Sequence, residues 1–155
     1  MNKLADLRAY LLKRIPVLAR DPERLLTFVE NGEITAHDGD NYSHHYNMPV
    51  RIVITDWSSS ADDIVLPLLE WIKVREPGYN PHEVLRFETE ILDNEKMDLL
   101  FELRITERVI VTNEDGTRKI NHVLPDQPIA MDDDAALETS ASGPSPEDSI
   151  IQSPQ

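Results

Sequence analysis

The chain has 155 residues, 40% of them apolar, enough for one domain with a real core. It contains no cysteine, which excludes a disulfide framework, a thiolate metal site and a cysteine nucleophile. Its net charge of −14 argues against sequence recognition of nucleic acid, which needs a basic patch to meet phosphates.

The first residues, MNKLADLRAYLLKR, lack the apolar run of a signal peptide, and no stretch approaches the ~20 apolar residues that span a bilayer. The expectation is a soluble chain made in the cytoplasm, with no membrane partner. Leu4, Leu7, Leu11 and Ile15 follow helical spacing, Asn2 is a candidate cap, and Pro16 ends that helix near Ile15. Asp21-Pro22-Glu23 reads as a cap with Pro at the first helical position, so a short helical turn is expected over residues 23–26. Asn31-Gly32 signals a turn.

A hairpin follows. Residues 33–37 form a short strand, and Asp38 to Asn41 (DGDN) turn the chain. Tyr42, His44, Tyr46, Met48, Val50, Ile52 and Ile54 then alternate as one row. Thirteen residues at ~3.3 Å each give a strand of roughly 43 Å, long for a small domain. Its length suggests projection toward a neighbouring molecule. Pro49, on the opposite row, confines the strand to an edge or marks a bulge.

SSSADDIVLPLLEWIKVR is a second helix, with Ser and Asp at its start and Lys73 and Arg75 at its end. Pro67 kinks it or marks a second start, and Glu76-Pro77-Gly78 stops it. Trp57 and Trp71 read as core or interface anchors. Leu85, Phe87, Thr89 and Ile91 make another alternating row, and LDNEKMD turns the chain. Met97, Leu99, Phe101, Leu103 and Ile105 form the apolar side of the next strand. Glu107 then enters that row before Val109 and Val111 resume it. A bulge with Glu107 turned to water, or a subunit boundary where Glu107 and Arg108 fix register between copies, would each explain the break. Asn113 to Gly116 form a final turn, with Ile120, His122 and Leu124 pairing back.

The fold class is therefore α+β, a mainly antiparallel sheet of about five strands with two main helices on it. The domain is placed at residues 1–128. From 129 to 155 the chain is rich in Pro, Ser and acid, and is expected to be a disordered tail. Asp126, Asp132, Asp133, Asp134, Glu138, Glu147 and Asp148 give residues 125–155 a charge of −7, leaving −7 for residues 1–124. Ile150 and Ile151 are the only anchors by which that tail would dock on a partner.

Chemistry is thinly signalled. His37, Asp38, Asp40, His44 and His45 cluster, but His44 and His45 point to opposite faces of a regular strand, and DGD is ordinary turn sequence. Paired carboxylates such as Asp62-Asp63 suit a helix start. No phosphate loop and no GxSxG is present. No catalytic, cofactor-binding or metal-ligating residue is assigned; a small metal-dependent hydrolase built on the His/Asp cluster is the enzyme alternative. The residues singled out are Pro49, Arg51, Arg104, Glu107 and Arg108, as a candidate subunit interface.

Four segments together resemble the tail completion protein R family of peduovirus-type contractile-tailed phages, a group of tail terminators. They are LRAYLLKRIPVLARDPERLLTFVENGEI with its RDPE-x-L-x-x-F-x-E-x-G pattern, MPVRIVITDW, ADDIVLPLLEWI, and LRFETEILDNEKMDLLFELRITERVIV with TERV. They cover about Leu7 to Val111; the acidic tail lies outside them. The resemblance implies a structural virion protein without catalytic residues or cofactors. It implies a tail-terminator-like fold, and a ring, expected to be hexameric, that caps the tail tube and sheath. Such a ring stops polymerisation at the head-proximal end of the virion tail and prepares joining to the head–tail connector. A connector component of the virion neck is the alternative.

Overall fold

The computed structural model describes residues 2–37 and 39–124. The order is α1 (Asn2–Arg14), α2 (Pro16–Arg20), a 3₁₀ turn (Pro22–Arg24), β1 (Leu25–Val29), β2 (Glu33–Ala36), β3 (His44–Trp57), α3 (Asp62–Arg75), β4 (Arg86–Ile91), β5 (Met97–Glu114) and β6 (Thr117–Val123). The α+β class and the antiparallel sheet are as expected, with six strands rather than about five. The expected tail lies outside the described residues.

Two long strands organise the sheet. β3 and β5 pair antiparallel from His44–Val109 to Trp57–Met97. Each is longer than any strand on its outer side, so two short strands share that side. β1 and β2 line the free side of β3, and β4 and β6 line the free side of β5. β3 is thus flanked on both sides and lies wholly within the subunit's own sheet. The expectation that it projects to a neighbour is overturned.

Pro49 is accommodated by a bulge. Val29 faces Val50 and Glu33 faces Asn47, so residues 30–32 stand opposite only Met48 and Pro49. The ladder on that side is interrupted where proline has no N–H to give. Gly32 closes the bulge: a Cβ there would lie 3.0 Å from the Asn47 carbonyl oxygen and 3.0 Å from Met48 Cβ.

The expected helical turn at residues 23–26 is corrected. The Pro22 turn is 3₁₀ and ends at Arg24, and Leu25 already opens β1. Cross-strand pairing with residues 50–54 outweighs the local start signal. Pro16 starts α2 as its first residue, and Pro67 lies inside one continuous α3.

Helices α1 and α3 cover one face. Leu7, Leu11, Ile64, Leu68 and Trp71 bury completely against Val50, Ile52, Ile54, Leu99 and Ile105. Each such side chain is worth about 1.5–3 kcal/mol over its exposed state. Both tryptophans are core residues. Trp71 Nε1–H donates to Asp6 Oδ2 (2.8 Å), which also accepts from Arg75 Nε (3.0 Å) and so ties α3 to α1.

Candidate functional site

Strand alternation sorts the singled-out residues onto two faces. Opposed pairs share a face, and Met48–Ile105, Val50–Leu103 and Ile52–Phe101 point to the helices. The pairs between them, Pro49–Arg104, Arg51–Glu102 and His45–Arg108, point away. Pro49, Arg51, Arg104 and Arg108 therefore share the open face of the sheet. Glu107, paired with Tyr46, lies on the helix side.

Glu107 is not a bulge residue, and it does not meet water. The β3–β5 register runs unbroken through it, and its exposure is 0%. Its carboxylate accepts from the backbone N–H of Lys3 (2.8 Å) and of Asn2 (3.1 Å), and from His122 Nδ1. It caps the N-terminus of α1 from 104 residues away, where the first N–H groups have no partner inside the helix and the dipole favours an anion. Burial alone pushes the Glu107 carboxyl up, but the Lys3 N–H, the His122 imidazole and the Asn2 N–H outweigh it. The group settles below the ordinary carboxylate value. The break in the apolar row is thus closed by contacts within the subunit.

The open face is part cationic and part apolar. Arg104 Nη1 donates to Asn47 Oδ1 (2.9 Å), and Arg51 Nη1 lies 3.5 Å from Glu30 Oε1. Arg51 Nε is buried with no acceptor among the described residues, and Arg108 has no ionic or hydrogen-bonded partner among them. Beside them β1 sets Leu26 opposite Val53 and Phe28 opposite Arg51. Leu26 is 41% and Phe28 46% exposed. Sequence reasoning missed these two, because the helix-start signal at Asp21-Pro22-Glu23 masked the strand.

Three of the motif segments meet at the end of β3. Asp56 adopts φ 54°, which shifts the register between Ile54 and Trp57. Arg24 Nε donates to the Thr55 carbonyl (3.0 Å), its Nη2 to that of Asp56, and Asp98 Oδ1 accepts from the Asp56 N–H (3.0 Å). The arginine after RDPE thereby holds the TDW corner.

The histidine cluster divides as the alternation requires. His45 Nδ1 lies 3.2 Å from His37 Nε2, whereas His44 stacks edge-on against Tyr46. Asp38 lies outside the described residues, and no group of three metal-ligating side chains occurs among those described. No helix is long and apolar enough to cross a membrane among the described residues.

Comparison with known proteins now bears on these features. The P2 phage tail completion protein R (GpR) family matches residues 1–127, which span every element of the sheet and its helices. The chain belongs to this family. Tail completion protein R of Escherichia phage P2 is 25% identical over 133 residues, covering 83% of this chain and 86% of that protein. No solved structure matches. Family membership connects the chain with completion of a phage tail and with virion assembly.

Proposed function

We propose that this protein acts as a terminator ring at the head-proximal end of the tail. Copies associate head to tail into a closed ring, expected to be hexameric, that seats on the tube or sheath, ends polymerisation and presents a surface to the head–tail connector. Its work is structural: it assembles and catalyses nothing. Family membership is the observation that carries this reading. The open sheet face supports it. Leu26 and Phe28 expose apolar surface beside Pro49, Arg51, Arg104 and Arg108, in a chain whose net charge is −14. Contiguous apolar surface rimmed by charge marks an interaction site. The Arg24 clamp on the TDW corner ties the turn before β1 to the end of β3, and Glu107 ties β5 to α1.

Electron microscopy of particles from phage with this gene stopped early tests the reading. Overlong tails, or finished tails that never join heads, are expected. Normal tails on normal heads would overturn it. Fractionation of the protein with heads rather than tails would select a connector role instead.

A further inference from the structure

The free side of β5 has a gap. β4 pairs with it only up to Glu102, and β6 only from Arg108, so residues 103–107 have no neighbouring strand there. The gap opens into a cleft of about 660 Å³. Lys3, Arg75, Arg104 and Arg108 line it against two carboxylates, Glu76 and Glu83. Glu76 is already committed. It accepts from Lys3 Nζ (2.6 Å) and from the Thr106 N–H (3.2 Å) and hydroxyl (2.9 Å). The surplus charge of the cleft is positive, and it lies with Arg104 and Arg108.

β6 runs straight toward this gap. Its last residue, Val123, faces Arg108 and itself lines the cleft. The chain that continues from there, residues 125–155, carries seven acidic side chains and no Lys or Arg. Asp126 follows Val123 by three positions, and Asp132, Asp133 and Asp134 come within one more short stretch. Ten residues reach up to ~33 Å when extended, enough to pass the whole gap. Pro125 has no N–H to extend the β6 ladder, and the Thr106 N–H is taken by Glu76. Attraction between charges, not strand pairing, is what remains to hold such a segment.

We propose that the acidic segment beginning at Pro125 occupies this cleft in the free subunit, its aspartates against Arg104 and Arg108 of the same chain. The consequence for assembly rests on the ring reading above: two cations of the open face stay covered until a partner displaces the segment. The docking itself does not depend on that reading.

The absence of cysteine makes a clean test available. A nitroxide is attached to the full chain through Ala135→Cys, and line broadening of backbone amides is read by NMR. Broadening strongest at residues 103–108 and Val123, and weaker at Leu25–Val29, is expected. It should be lost at about 1 M salt, where the Debye length is about 3 Å, and in Arg104→Glu/Arg108→Glu. It should return when Asp132, Asp133 and Asp134 are changed to Lys in that double variant. Uniformly weak broadening, broadening centred on β1 or β4, or no response to charge reversal would overturn the proposal. Broadening seen only between isotope-labelled and nitroxide-labelled chains in a mixture would also overturn it, assigning the contact to a second copy. Ring formation is scored separately by electron microscopy, so failure of the docking and failure of the ring are distinguishable.

Discussion

A carboxylate tolerates complete burial only when its lone pairs are used, and Glu107 uses them on two helix N–H groups and an imidazole. Glu107→Ala strands all three donors. A hydrogen bond to a charged group is worth about 1.5–3 kcal/mol and an N-cap about 0.5–2 kcal/mol, so a loss of roughly 3 kcal/mol is expected in urea unfolding at pH 7. The pH profile separates charge from shape. The folded-state pKa lies below the unfolded one, so the stabilisation is full above the unfolded value and is lost as pH falls through the folded value. The stability gap between the natural chain and Glu107→Gln should therefore be widest near neutrality and close below the carboxylate range; a gap constant with pH would assign the effect to packing alone. Tyr10 offers a second reading at this scale. Burial and the hydrogen bond to Glu70 (2.8 Å) push its hydroxyl up to about 12. Tyr10 should ionise late in an ultraviolet titration, and Tyr10→Phe should remove that late step.

Among the elements, the bulge at residues 30–32 decides how the outer edge of β3 is built. Gly32→Ala drives a Cβ to 3.0 Å from a backbone oxygen, so backbone must move. Overpacking of this kind costs about 1–3 kcal/mol. Hydrogen exchange should show the loss locally, with protection falling at Glu33–Ala36 and persisting at Arg86–Ile91; equal loss at both would place the strain elsewhere. The same bulge explains what the sequence could and could not reveal. β3, β5, α1 and α3 are legible because each carries a long apolar period against one continuous core, interrupted in β5 only at Glu107. β1 is not: Leu25 and Leu26 are adjacent, the bulge resets the frame before β2, and Asp21-Pro22-Glu23 points to a helix. That Pro49, Arg51, Arg104 and Arg108 share a face follows from alternation alone. Glu107 as a cap was beyond reach, since sequence signals for capping act within three or four residues and its partners are 104 and 105 residues away.

For the whole molecule, the proposed terminator ring raises the question of which exposed apolar surface would meet another copy or the tube. Among the exposed apolar side chains of the described residues, two pairs lie on opposite faces of the sheet. Leu26 and Phe28 lie on the open face, whereas Phe87 and Ile91 lie on the helix-side face of β4, 67% and 77% exposed. The first pair has a cation on its own face, Arg51 directly opposite Phe28. Copies of a chain with net charge −14 repel one another, so an interface that places arginine at its centre offsets part of that repulsion. Phe28→Asp should leave subunit stability within about 0.5 kcal/mol, as surface changes usually do. Burying a phenylalanine contributes about 2–3 kcal/mol, so in the proposed ring its loss should weaken each contact by roughly 30- to 150-fold, and the penalty multiplies around the ring. Complementation of the stopped gene by Phe28→Asp should therefore fail to yield completed tails, while Ile91→Asp should succeed. If Ile91→Asp fails and Phe28→Asp succeeds, the contacts run through β4 and the helix side, and the arginines of the open face serve another partner.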